Sequence, residues 1–146
     1  MLPPSVRQAT GQDAPLIAAH RYPDLDETHE ARGVYADWVV GALERGAYLG
    51  VLVEADGRVV AGAGLTLLDW GPTKHDPHPL RGRIVNVYTV PHLRGRGLAR
   101  LAVERVLREA HDLGLRTLSL GTTEAARPMY ISLGFAPYPH EMMRRE

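Results

Sequence analysis

The chain has 146 residues, and its 17 Lys and Arg residues balance 17 Asp and Glu residues. That length fits one domain with one core, residues 1–146, and the neutral balance favours no polyanionic partner. Hydrophobic residues make up 45% and charged residues 23% with no cysteine, which suits a soluble protein of a reducing cytoplasm and excludes disulfides, thiolate metal sites and a cysteine nucleophile.

The opening Met1-Leu2-Pro3-Pro4-Ser5 lacks a basic stretch followed by an apolar one, so no signal peptide is expected. No apolar run approaches the roughly 20 residues of a membrane helix, and no membrane partner is expected. Val6 to Ala9 reads as a short strand. Thr10 then caps a helix with Asp13 three residues on, and Ala14, Ile17 and Ala18 form its apolar side. A second helix is expected from Asp26 to Leu43, where Ala31, Val34, Tyr35, Trp38, Val39, Ala42 and Leu43 recur at helical spacing. Gly46 suits its end.

Tyr48 to Glu54 and Arg58 to Leu68 read as strands joined by Ala55-Asp56-Gly57, a hairpin signal. Asp69 to Gly82 is a loop with Pro72, Pro77, Pro79, His75 and His78. Arg83 to Val90 is β-rich and is stopped by Pro91. The longest clear helix runs from Gly97 to about Leu113, with Leu98, Leu101, Ala102, Val106, Ala110 and Leu113 on one face. Leu115 to Leu120 reads as a strand, Glu124 to Leu133 as a short helix capped by Gly134, and Phe135 onward as a last strand. The order β-α-α-β-β-β-α-β-α-β predicts a mixed sheet flanked by helices, of the α/β (α+β) class.

The turn after Val90 carries the most chemistry. Arg94-Gly95-Arg96-Gly97-Leu98-Ala99 opens an amphipathic helix. The first amides of a helix lack partners within it, and its dipole adds partial positive charge. Glycines let a ligand approach the backbone, and two arginines add full charges, so the turn suits a pyrophosphate. It is not a dinucleotide-binding turn, because Arg100 stands where the third glycine of G-x-G-x-x-G belongs, and no P-loop motif occurs.

Arg94 to Ala99 matches the R/Q-x-x-G-x-G/A signature of the GNAT acetyltransferases, and the strand ending Asn86-Val87-Tyr88-Thr89-Val90-Pro91 is similar to the one that precedes it there. Thr123 to Phe135, a short helix bearing Tyr130 followed by Leu133-Gly134-Phe135, resembles the family's later motif, at the expected distance of one helix and one strand. The resemblance spans about residues 5 to 145. It implies an N-acetyltransferase fold with acetyl-CoA as cosubstrate. The amides of Arg94, Gly95, Arg96, Gly97, Leu98 and Ala99 would bind pyrophosphate. The backbone of Tyr88 and Val90 would pair with the pantetheine arm, and an amide near Val90 would face the thioester oxygen. Thr123, where the family commonly has asparagine, would hydrogen-bond the cofactor, and Tyr130 would protonate the departing thiolate.

The acceptor is expected to be a primary amine of a small molecule or peptide, lined by Trp70 and Asn86. A glutamate base is missing from the central strand, where Asn86 and Tyr88 face inward. Asp69, His75, Asp76, His78, His29 and Glu30 remain as bases, beside a water chain. His75-Asp76-Pro77-His78 reads as a mobile polar loop, not a metal site. The arginines Arg94, Arg96, Arg100, Arg105 and Arg108 lie near one helix without interleaved aromatics, so cofactor phosphate is expected in place of nucleic acid. A homodimer stays open, as does a non-catalytic acyl-CoA sensor of the same fold.

Overall fold

A computed structural model describes residues 3–146. Strand β1 (Ser5–Gln8) leads through a 3₁₀ turn to α1 (Ala14–Arg21) and α2 (Glu30–Glu44), followed by β2 (Tyr48–Ala55), β3 (Arg58–Asp69) and β4 (Leu80–Thr89). Helix α3 (Leu98–Asp112), β5 (Leu118–Ser119) and α4 (Arg127–Ser132) complete the chain's regular elements. The sheet order is β1-β2-β3-β4-β5, antiparallel through β4 and parallel between β4 and β5.

The first corner is pinned by charge. Arg7 on β1 grips both carboxylate oxygens of Asp13 at 2.9 Å and also pairs with Glu54 on β2. Asp13 accepts the Thr10 amide at 2.8 Å, as the capping pattern predicts. The guanidinium beside it holds the Asp13 carboxyl below its usual range.

Both faces of the sheet are covered. Leu98, Ala102, Val103, Val106 and Ala110 of α3 pack with Leu49, Val51 and Val53 on one face. Ile17 of α1 and Val39 and Ala42 of α2 pack with Tyr48 and Leu52 on the other. The alternation of β2 side chains between two helix layers follows from the period of two. Leu113, expected on the buried face of α3, is 49% exposed because it lies past the helix end.

Helix α2 starts at Glu30, not Asp26. The Asp26 carboxylate accepts from the Thr28 amide and hydroxyl, closing a turn before His29 caps the helix through Ala31 N–H. Strand β4 starts at Leu80, because Leu80 pairs with Asp69. The expected strand from Phe135 does not form. Pro137 and Pro139 remove alternate amide donors from that segment, so it cannot ladder onto β5. Strand β5 shrinks to two residues, Gly82 and Arg83 being its β4 partners.

Two glycines of β3 make room for what lies across it. A Cβ on Gly64 would stand 2.1 Å from the Tyr48 hydroxyl, and one on Gly62 3.1 Å from His20 Nδ1. Tyr48 is 3% exposed and cannot swing away. Gly64→Ala is therefore expected to cost about 1–3 kcal/mol through overpacking. Thermal denaturation reads this as a fall of several degrees, and an unchanged midpoint would show that the ring relocates freely.

Candidate functional site

Strand β4 carries a bulge. Gly62 pairs with Tyr88 and Gly64 with Val85, so Asn86 and Val87 together oppose Ala63. Asn86 has φ of 58°, a left-handed conformation that asparagine tolerates better than most residues. The bulge turns Asn86 to the same face as Val85, toward α1 and α2. There its amide nitrogen donates to the hydroxyls of Tyr35 at 2.8 Å and Tyr48 at 3.0 Å, while its oxygen accepts from Arg21 at 3.1 Å.

Beyond Arg83 and Ser119 the pairing of β4 with β5 stops, leaving the outer edge of β4 open toward its end. The alternation of an antiparallel ladder decides which backbone groups reach that opening. Val90 N–H donates to Val60 C=O at 2.9 Å, so Val90 and, two residues back, Tyr88 turn their backbone inward to β3. Thr89 turns outward, and its carbonyl accepts from Arg94 Nε at 3.3 Å. The expected pairing edge of Tyr88 and Val90 is thus turned toward β3, and Thr89, itself 8% exposed, is the residue whose backbone points outward.

The chain then passes through a 3₁₀ turn, Pro91–Leu93, into α3. Gly95 at φ 80° and Gly97 at φ 77° are both left-handed, which favours glycine, and a side chain on either would project into open space. Residues 94–97 are exposed. No side chain caps the helix, and the first intrahelical bond runs from Leu101 N–H to Gly97 C=O. The amides of Leu98, Ala99 and Arg100 therefore have no partner within the helix and can meet an anion, whereas Arg94 N–H already donates to Pro91 C=O at 3.4 Å. Arg96 has no ion pair or hydrogen bond among the described residues. Arg94 instead folds back over β4, its guanidinium 5.9 Å from the Tyr88 ring.

Tyr130 reaches this corner through packing. Arg100 on the first turn of α3 donates to the Ser132 hydroxyl of α4 at 2.7 Å. Tyr130 is 6% exposed and shares one apolar cluster with Leu98, against which Val87 and Val90 also pack. Its hydroxyl has no hydrogen-bond partner among the described residues, and burial pushes its pKa up, so it stays protonated as a donor. Tyr130 also borders a cavity of about 1050 Å³ with Leu118, Thr122, Phe135 and Trp70.

The remaining candidates separate. Trp70 is 57% exposed under the Arg81 guanidinium, at the far end of β4 from Asn86, so the two expected acceptor residues do not meet. The Thr123 hydroxyl accepts from Ala126 N–H at 3.2 Å and so begins α4. Asp76 is buried, accepting from the Thr117 hydroxyl and from His78 N–H, and the Thr117 bond foremost holds its carboxyl below the usual range. His78 Nδ1 accepts from Leu80 N–H. The loop is therefore stapled to the body, and no cluster of metal-binding side chains occurs among the described residues. His29 caps α2 by accepting from Ala31 N–H, and Glu30 is the first residue of that helix.

Two residues of the face, His20 and Arg21, were missed. His20, in the last turn of α1, is 7% exposed, with its ring 4.8 Å from that of Tyr88. Burial pulls its pKa down to about 4, so its imidazole is neutral at physiological pH. The signal was its position three residues after Ile17, on the buried stripe of α1.

A family model described as the acetyltransferase (GNAT) family matches residues 13–135. No curated protein matches the chain in sequence. Among solved structures, a GCN5-related N-acetyltransferase from Ralstonia eutropha JMP134 is 28% identical with a TM-score of 0.87 over 99% of each chain. A predicted acetyltransferase with acetyl-CoA from Clostridium acetobutylicum is 21% identical with a TM-score of 0.88, covering 98% of this chain and 96% of its own. An aminoglycoside N-acetyltransferase in complex with CoA is 15% identical with a TM-score of 0.75, covering 99% and 95%. The family model spans most of the chain, and the chain belongs to the GNAT acetyltransferase family.

Proposed function

We propose that the protein transfers the acetyl group of acetyl-CoA to a primary amine by direct attack. The observation that carries this reading is the bare N-terminus of α3, with left-handed Gly95 and Gly97, at the end of a strand whose outer edge is open. These groups fit the cosubstrate: free amides and Arg96 suit a diphosphate, and the Thr89 backbone suits an amide-bearing arm. Bound acetyl-CoA supplies the activated acyl group. Thr89 N–H would donate to the thioester oxygen as it gains charge when the C–N bond forms. When the C–S bond breaks, the Tyr130 hydroxyl gives its proton to the sulfur and regains one from water. The amine's proton leaves to solvent, since His20 is too weak a base to hold it.

Steady-state release of CoA thiol with a panel of primary amines tests the reading. Gly95→Val forces a β-branched residue into a left-handed conformation while meeting no neighbour. It is expected to weaken acetyl-CoA binding about 10- to 100-fold, the worth of one or two amide bonds to a charged group, with a fall of only a few degrees in melting temperature from the backbone strain. Calorimetric titration measures it, and unaltered affinity would remove the turn from the site.

A second reading is favoured by one observation: the face of β4 that carries Val85, Asn86 and Tyr88 holds no carboxylate. The protein would then bind acyl-CoA as a sensor without turnover. Tight CoA binding with no thiol release from any amine would establish it.

A further inference from the structure

Arg21 is a cation with neutral neighbours. Its guanidinium lies 4.4 Å from the Tyr35 ring centre and 5.8 Å from that of Tyr22. It donates through Nη1 to the Asn86 oxygen and through Nε to the Tyr22 hydroxyl. No carboxylate comes within ion-pair distance of it among the described residues, although Arg7, Arg100, Arg105 and Arg127 all find one. The acidic residues of the loop after α1 do not serve it: Asp26, the carboxylate closest in sequence to have a fixed partner, is held by Thr28.

A second guanidinium contacts Tyr22 at its main chain. Arg32 of α2 donates to Tyr22 C=O at 3.3 Å, and its Nε is buried without a hydrogen-bond partner. A buried donor left unpaired costs free energy unless something else binds there. Arg21 is positioned from three sides, by Asn86 on the bulge of β4, by the Tyr35 face on α2 and by Tyr22. Its Nη2 edge takes no hydrogen bond among the described residues. Nη2, together with the hydrogen of Nη1 that Asn86 does not take, is left to donate to one carboxylate.

We propose that Arg21 binds a carboxylate of the acceptor, so that the amine acetylated here belongs to an amino acid or to another molecule carrying both an amine and a carboxylate. This rests on the acetyl-transfer reading of the site. Asn86 links the two ends: it anchors Arg21 and sits three residues before Thr89, at the reacting end of the same strand. The cation also disfavours polycationic acceptors, because a second positive charge beside it is repelled.

The test pairs each amino acid of a panel with its own carboxamide, lysine with lysinamide for example, and includes phosphoethanolamine and an aminoglycoside. The acid is expected to exceed its amide about 10- to 100-fold in kcat/KM, the worth of a charge-assisted hydrogen bond. Arg21→Gln is expected to abolish that preference and Arg21→Glu to reverse it. Arg21 is exposed and lies outside the turn after β4, so acetyl-CoA affinity by calorimetry is expected to be the same in all three proteins. Equal rates for acid and amide, a preference that survives Arg21→Gln, or a preference for phosphoethanolamine or the aminoglycoside would overturn the assignment. If acetyl-CoA fails to bind the unaltered protein, the acetyl-transfer reading falls instead. If it binds without turnover, calorimetry of lysine against lysinamide with the unaltered protein and Arg21→Gln decides the carboxylate question by itself.

Discussion

Tyr130→Phe is expected to lower kcat by about 100-fold or more, the lower bound of what a positioned proton donor contributes, while leaving KM for acetyl-CoA nearly unchanged. The ring is part of the cluster that includes Leu98 and stacks edge-to-face on Phe135 at 6.0 Å, and phenylalanine keeps both contacts. Its hydroxyl is engaged with no described residue, so removing it leaves no orphaned partner behind. The loss should therefore appear in turnover and not in the melting temperature. Burial raises the phenol's pKa, which keeps the donor protonated. The acid role makes a further demand: an acyl donor with a better leaving group than an alkyl thiolate should be less sensitive to the substitution. If Tyr130→Phe turns over a good amine at the full rate, the thiolate is protonated by water and the ring is only core.

The parts of the fold that were readable in advance are those determined locally. The hairpin between β2 and β3 turns at Asp56 and Gly57, both with positive φ, as a tight two-residue connection requires. Helix α3 follows from its apolar stripe, and the glycine turn ahead of it from the need for φ values that side chains resist. Strand β5 and the segment after Phe135 failed for the opposite reason. A strand exists only with a partner, and Leu115 to Leu120 has the same apolar pattern whether two residues pair or six. The two prolines in Phe135 to Pro139 were visible, but their consequence depends on which edge that segment would have to join.

The site divides along the same line. Which backbone groups of β4 face the opening is a question of register, fixed by the Val90–Val60 bond and by the bulge at Asn86 and Val87. Neither is visible in Asn86-Val87-Tyr88-Thr89-Val90, so Tyr88 and Val90 were expected where Thr89 stands. Asn86 was recognised as inward-facing, yet its partners Arg21, Tyr35 and Tyr48 lie 65, 51 and 38 residues away. Thr123 and Asp76 looked available because side-chain chemistry can be read from sequence, whereas prior engagement cannot: each is already spent on a neighbour's hydrogen.

His20 makes the protein's stability depend on pH in a window where exposed histidines do not. In the unfolded chain its pKa is near 6.5, and in the folded protein burial holds it at about 4. Between those values the unfolded chain binds a proton that the folded protein refuses. Stability is therefore complete above pH 6.5, falls as pH drops through the window, and levels off below pH 4. At 1.36 kcal/mol per pH unit the loss between pH 6.5 and pH 5 is about 2 kcal/mol, or roughly 4–8 °C in melting temperature for a chain of this size. The Asp13 and Asp76 carboxyls, both held below their usual range, withdraw their own stabilisation only at lower pH, below about 4, so the two effects separate on the pH axis. His20→Gln fills similar space without a titrating group. Whatever it costs at pH 7.5, its melting temperature should stay level between pH 6.5 and 5 where that of the unaltered protein descends. A flat profile in the unaltered protein would mean that the imidazole accepts its proton without leaving the fold, and that the cleft beside Tyr88 is wetter than the packing of His20 against that ring implies.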